Sequence, residues 1–233
     1  MCDSSNHASA NLRDHVPPAF SYWVGTSDIL RSELILTPGR GPDFPPAQIR
    51  IYDCDGELVN ELEVQLSDPK VQIIELDSMM QGCKVQAGFR HGHVQVRVGV
   101  DSSAACRYHW GEAVSVVSDL QEVSSERAGF FPVRFSKDKL HIVALVNHTD
   151  SPAESMVRLI LGRRTPEVAV TVPGLGARIV SLESNFAEFA TPQEGKERQG
   201  YLRVRTKENT PLGLQLIEEL MELGSSSIFT MVA

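Results

Sequence analysis

The sequence lacks long apolar runs and any excess of positive charge. No stretch approaches the roughly 18 consecutive apolar residues of a membrane-spanning helix, so we expect no membrane span. The chain has 22 lysines and arginines against 30 aspartates and glutamates, which gives a formal net charge of −8. Because sequence-independent binding to nucleic acid requires a basic face that displaces counterions, we expect no nucleic-acid partner.

Cysteines are few and widely separated. Cys2, Cys54, Cys83 and Cys106 form no C-x-x-C pair, which favours reduced structural thiols over a disulfide framework. The start of the chain shows no basic segment followed by an apolar one, the pattern of a secretory signal peptide. We therefore expect a cytoplasmic protein.

Short apolar runs separated by turn residues make up most of the sequence. Apolar and polar residues alternate over 61–66, which is typical of a strand with one buried face. Asp55-Gly56 between two such runs indicates a hairpin. The pattern over 212–223 fits a helix or a strand. The runs predict strands over 20–25, 32–37, 49–53, 58–66, 71–76, 94–100 and 113–117. Short strands with regular turns predict an all-β protein built of antiparallel β-sandwiches.

The second half of the sequence repeats the pattern of the first at a shift of roughly 108 residues, which is the size of a small domain. Several strand-like segments keep their order and spacing, which predicts an internal duplication. The aligned segments are 49–51 with 157–159, 73–78 with 179–184, and 94–98 with 202–206. The predicted organisation is a flexible N-terminal arm over 1–19, a first β-sandwich over 20–122 and a second over 123–233.

Four segments of the second half carry a family resemblance. They are Leu145-Val146-Asn147, Val170-Thr171-Val172-Pro173 with Arg178, Gly200-Tyr201-Leu202-Arg203-Val204, and the closing 227–233. In these segments the chain resembles the sensory rhodopsin transducer family of small bacterial β-sandwich proteins. The resemblance implies a fourfold ring of sandwiches that binds partners and does not catalyse a reaction. This chain departs from the family by having two copies, so a dimer of such chains would correspond to the ring.

His91-Gly92-His93 is the one segment with the character of a metal site. Two histidines at positions i and i+2 of a strand point to the same face. Zinc needs three or four convergent ligands, and His109 could supply the third from a neighbouring strand. In the alternative interpretation, His91 and His93 flank a glycine at a turn and lie exposed.

Two pairs of residues indicate a binding surface. Arg203 and Arg205 share one face of a strand, where they could bind a phosphate, a sugar acid or an acidic partner segment. The alternative is that outward arginines only balance nearby glutamates. Trp23 and Trp110 could stack on sugar rings or anchor an interface. The alternative for these two residues is packing in the core.

No complete catalytic motif is present in the sequence, neither a G-x-S-x-G nucleophile elbow nor a phosphate-binding P-loop. We therefore expect a non-catalytic binding or adaptor protein without a cofactor, with signal transduction as one role and a membrane receptor as one candidate partner. Two alternatives remain open, a zinc-dependent enzyme using the three histidines and a carbohydrate-binding module using the two tryptophans. Because sandwiches leave edge strands that need cover, we also expect a homo-oligomer, most simply a dimer.

Overall fold

A computed structural model describes residues 19–39, 45–67, 70–86, 88–190, 197–222 and 225–231. The predicted N-terminal arm lies outside the described residues apart from Ala19. Almost all regular structure is antiparallel strand, which confirms the predicted all-β fold. In this part of the chain, no helix is long and apolar enough to cross a membrane. Cys54, Cys83 and Cys106 are buried free thiols, as predicted.

The strands up to residue 117 form two sheets. Their bounds are β1 Ala19–Thr26, β2 Leu30–Thr37, β3 Ala47–Asp53, β4 Leu58–Val64, β5 Gln72–Glu75, β6 Val85–Gln86, β7 Phe89–Arg97, β8 Ser103–Trp110 and β9 Ala113–Val117. Sheet A has the order β1-β7-β3-β4, with β6 beside β7. Sheet B has the order β5-β2-β8-β9. We call residues 19–117 the first half.

The remaining strands form two further sheets. Their bounds are β10 Gln121–Val123, β11 Gly129–Phe135, β12 Lys139–Val146, β13 Ala153–Ile160, β14 Glu167–Val172, β15 Ala177–Ser181, β16 Arg198–Thr206, β17 Leu212–Glu222 and β18 Ser225–Met231. Two short helices, α1 Leu182–Asn185 and α2 Ala187–Ala190, follow β15. Sheet C has the order β10-β17-β12-β15, with β18 also beside β17, and sheet D has the order β11-β16-β13-β14. We call residues from 121 onward the second half.

The two halves share one strand order. The order β1-β7-β3-β4 corresponds strand for strand to β11-β16-β13-β14, and β5-β2-β8-β9 corresponds to β15-β12-β17-β18. An ion pair also repeats at corresponding strands. The Nε of Arg50 lies 2.7 Å from Glu61, and the Nε of Arg158 lies 2.8 Å from Glu167. A common origin of the halves by duplication stays a prediction.

The central strands of sheet C are buried on both faces and join the halves. Along β12, Ile142, Ala144 and Val146 belong to the core that contains sheets A and B, whereas Val143 and Leu145 belong to the core shared with sheet D. Successive side chains of a strand point to opposite faces, so a strand buried on both sides needs a continuous apolar run. The segment His-Ile-Val-Ala-Leu-Val of β12 is close to such a run.

Candidate functional site

His91 lies in β7, between β1 and β3, and is fully buried, so the interpretation as an exposed turn residue is corrected. The indole Nε1–H of Trp23 donates to Nδ1 of His91 across 3.3 Å, and Nε2 of His91 lies 3.0 Å from Oε1 of Gln86. Because an indole nitrogen can only donate, Nδ1 is the bare ring nitrogen and Nε2–H donates to the amide oxygen. Burial lowers the pKa of His91 to about 4, so the ring is neutral near pH 7.

His93 is buried on the same face of β7 and has the opposite tautomer. Its Nδ1 lies 3.0 Å from the carbonyl oxygen of Leu175, which can only accept, so Nδ1 carries the hydrogen. The imidazole stacks on the ring of Tyr52, with 5.6 Å between centroids. Its Nε2 is buried without a hydrogen-bond partner among the described residues. Burial lowers the pKa of His93 to about 4.

His109 lies in sheet B and has different neighbours. Its Nε2 is 3.0 Å from a carboxylate oxygen of Glu33, which also accepts from Nε of Arg107 across 2.6 Å. The structure therefore places His91 and His93 on one face of β7. It places His109 elsewhere, in a cluster of charged residues with Glu33 and Arg107. Within the described ranges, no group of three or more His, Cys, Asp or Glu side chains is arranged to hold a metal ion. The lone pair of His91 is moreover already engaged by Trp23.

Trp23 and Trp110 belong to the core, with 2% of each residue exposed. Trp23 stacks with Tyr108 at 6.0 Å between centroids, and Trp110 packs against Phe89 at 5.4 Å. Because neither ring presents a face to solvent, neither can stack on a sugar. The predicted role of these two tryptophans in ligand binding is corrected to core packing.

The hairpin turn between β3 and β4 docks on the turn between β14 and β15. The guanidinium of Arg178 lies 2.8 Å from Asp55, and the backbone N–H of Ala177 donates to the carbonyl of Cys54 across 3.2 Å. The ammonium of Lys84 lies 2.8 Å from Asp55. Hydrogen bonds from Lys84 and Arg178 hold the pKa of Asp55 below its usual range. This contact is a junction between the halves that is held by ion pairs and a backbone hydrogen bond.

A third buried histidine, His141 of β12, was not predicted. Its Nδ1 lies 2.7 Å from Glu183, and its Nε2 lies 3.2 Å from Glu218. Glu218 in turn is 2.5 Å from the ammonium of Lys139. The network links β12 to α1 and β17 inside the fold. The sequence feature that could have indicated this buried histidine is its position at the start of an otherwise apolar run.

The outward face of sheet D carries exposed aromatic rings beside arginines. Phe130 on β11 lies opposite Arg203 on β16, and the guanidinium carbon of Arg203 is 5.5 Å from the centroid of the phenyl ring. Phe130 is 53% exposed and Tyr201 is 59% exposed. Arg205 lies two residues beyond Arg203 on the same face of the strand. We call Phe130, Tyr201, Arg203 and Arg205 the arginine–aromatic face.

Only some of the arginines of sheet D are balanced by glutamates. Arg158 pairs with Glu167, as described above, and Arg134 lies 3.6 Å from Glu197. Arg203 and Arg205 have no carboxylate partner in the part of the chain that the structure describes. The Nε of Arg203 is buried and makes no hydrogen bond to any described residue. The alternative of simple charge balance therefore accounts for Arg158 but not for Arg203 and Arg205.

Comparison with known proteins identifies no family. No family model matches the chain, and no curated protein matches it. Among solved structures, the chain is similar to chains of infectious bursal disease virus from the Gx and Gt strains, at 11% and 9% sequence identity. These alignments cover 91% and 92% of this chain, and 67% and 65% of the viral chains. The TM-scores are 0.15 and 0.13, which is too low to support an argument about fold or function.

Proposed function

We propose that this chain is a non-catalytic binding protein that recognises an acidic segment of a protein partner through its arginine–aromatic face. The observation that carries the proposal is the pair of Arg203 and Phe130. The guanidinium lies over an exposed ring and lacks a carboxylate partner among the described residues. The side chain is thus oriented by the ring, and no described residue accepts a hydrogen bond from its Nε.

The chemistry of this face fits a carboxylate-bearing partner. A guanidinium presents several N–H donors in a fixed plane and binds carboxylates with two parallel hydrogen bonds. Tyrosine, phenylalanine and arginine are also enriched in the cores of protein interfaces. The whole chain has a net charge of −8, so a locally positive face gives an acidic segment a preferred place of approach.

The buried histidines support a role without catalysis. His91, His93 and His141 are fully buried, and each has a hydrogen-bonding partner within the fold. A general acid or base must reach the substrate directly or through one water molecule. These three imidazoles are instead components of the core.

The cellular location, the partner and the oligomeric state are also proposed. We infer a cytoplasmic adaptor in signal transduction, with a membrane receptor as one candidate partner and with the transducer-like assembly that the family resemblance implies. A homodimer would cover edge strands that the sheets leave open. Light scattering at tens of micromolar protein, on the order of common weak affinities, should give twice the chain mass. A strictly monomeric mass would contradict the dimer.

Selection of peptides tests the binding function directly, because it requires no particular partner protein. A displayed library of random peptides is selected against the immobilised full chain. The selection is then repeated against a double variant, Arg203→Gln with Arg205→Gln. The control variant is Arg163→Gln, which removes an exposed arginine from the turn after β13. We expect peptides rich in aspartate and glutamate that bind the native chain and the control but not the double variant.

A further inference from the structure

A cavity of about 660 Å³ lies between the two halves. Ser21 and Gln95, which pair across β1 and β7, contribute from sheet A. Asp119 contributes from the segment that connects the halves, and the other polar groups come from the second half. The polar lining residues are Ser21, Gln95, Asp119, Gln121, Glu122, Arg127 and His148. Ligand sites occur preferentially in concave spaces of about 300–1,000 Å³ and at junctions between structural units.

The cavity presents charges of both signs that the described part of the fold does not neutralise. Arg127 forms no ion pair with the described residues. The carboxylate of Asp119 accepts the backbone N–H of Leu120 across 2.9 Å but pairs with no described cation. Glu122 has only a long contact of 3.7 Å, to the imidazole of His148. Among the described residues, the lining therefore offers at least one cation and one anion without an ion-pair partner.

We propose that this cavity binds a hydrophilic zwitterion of the size of an amino acid or a dipeptide. The guanidinium of Arg127 would take the carboxylate, and Asp119 would take the ammonium group. The amide of Gln95 and the hydroxyl of Ser21 offer hydrogen bonds to the rest of the molecule. The described lining residues include no phenylalanine, tyrosine or tryptophan to stack on a sugar or base, and two carboxylates against one guanidinium do not favour a phosphate.

This site is separate from the arginine–aromatic face and does not depend on the proposed partner. Because both halves contribute to its lining, a bound ligand would stabilise their junction. A ligand that binds only the folded state raises the midpoint of unfolding. The site would thus let a small metabolite tune the stability of the contact between the halves.

Calorimetric titration of the full chain with proteinogenic amino acids and alanyl dipeptides, each to about 10 mM, tests the proposal. We expect saturable binding of at least one compound, and loss of that binding when its amine is acetylated or its carboxylate is amidated. Arg127→Gln should weaken the affinity by about tenfold or more, and Asp119→Asn should weaken it as well, because each removes one charge partner. Arg163→Gln, with its arginine remote in the fold, should leave the affinity unchanged.

Thermal unfolding of each variant identifies any that does not fold, and Asp119→Asn keeps the test informative if Arg127→Gln is unstable. The proposal is overturned if no compound in the panel binds. It is also overturned if binding survives both blocking modifications, or if both folded variants bind as tightly as the native chain. None of these outcomes bears on peptide binding by Arg203 and Arg205.

Discussion

The indole N–H of Trp23 donates to Nδ1 of His91 across 3.3 Å, and both residues are buried. This bond fixes the histidine tautomer and occupies the lone pair that a metal ion would need. A pair of histidines that resembles a metal-binding motif in the sequence is therefore a packing element of sheet A.

We expect Trp23→Phe to lower the free energy of unfolding more than Trp110→Phe does. The first substitution leaves the Nδ1 of His91 without its donor, and a buried hydrogen bond lost in this way costs about 1–2 kcal/mol. Trp110 is equally buried, but its indole N–H has no partner among the described residues, so its loss removes no hydrogen bond. Urea unfolding measures both variants, and equal destabilisation would show that the Trp23–His91 bond contributes nothing.

The protein should lose stability between pH 7 and pH 5. His91 and His93 have a pKa of about 4 in the folded chain against an ordinary value of 6.5, so the unfolded chain binds more protons in this range. The free energy of unfolding therefore falls as the pH drops from about 6.5 towards 4, with a total loss on the order of 3 kcal/mol by pH 5.

The pH range distinguishes the contribution of the histidines to stability from that of the carboxylates. Glu33 and Asp55 have lowered pKa values in the fold, and their contributions to stability are lost only at more acidic pH, below their ordinary values of 4.5 and 3.8. Urea unfolding at several pH values should give a flatter profile for His93→Gln than for the native chain. His148→Gln serves as the control. A native profile that is flat from pH 7 to pH 5 would contradict burial of neutral histidines.

Gly56→Ala should disrupt the junction between the halves. Gly56 has φ +87°, and a Cβ at this position would lie 1.9 Å from the carbonyl oxygen of Gly174. Gly162, in the corresponding turn of the second half, has φ +61°, but a Cβ there would have no atom within 4 Å. Both substitutions add backbone strain, but only the first adds overlap with backbone, which costs about 1–3 kcal/mol more.

Urea unfolding again provides the measurement, here followed by tryptophan fluorescence and by far-ultraviolet circular dichroism. In Gly56→Ala, the two signals should no longer change together, because both tryptophans lie in the first half and would report it alone. Gly162→Ala should keep coincident transitions. Equal midpoints for the two variants would show that the turn contact does not couple the halves.

The strands were predictable wherever polar and apolar residues alternate with clear turns between them. The segment β8 was predicted only as a strand that carries His109, without bounds, although Ala104, Cys106, Tyr108 and Trp110 alternate as a strand requires. The pattern over 212–223 was ambiguous because β17 buries residues on both faces, Leu216 in one core and Ile217 in the other.

The candidate site was only partly predictable. The spacing of Arg203 and Arg205 placed both on one strand face, as the structure has them. The sequence could not show that Phe130 lies opposite Arg203, because that register joins strands far apart in the chain. It also could not show that Trp23 and Trp110 are buried, since burial depends on how the sheets pack.

The central claim is tested most directly by the affinity of the best acidic peptide from the selection. This affinity is measured for the native chain, the double variant and the control variant. The account predicts that Arg203→Gln with Arg205→Gln weakens binding by about tenfold or more, since each charge-assisted hydrogen bond contributes roughly 1.5–3 kcal/mol. Arg163→Gln should bind as the native chain does, and higher salt should weaken native binding. Equal affinity of the double variant and the native chain would contradict the account.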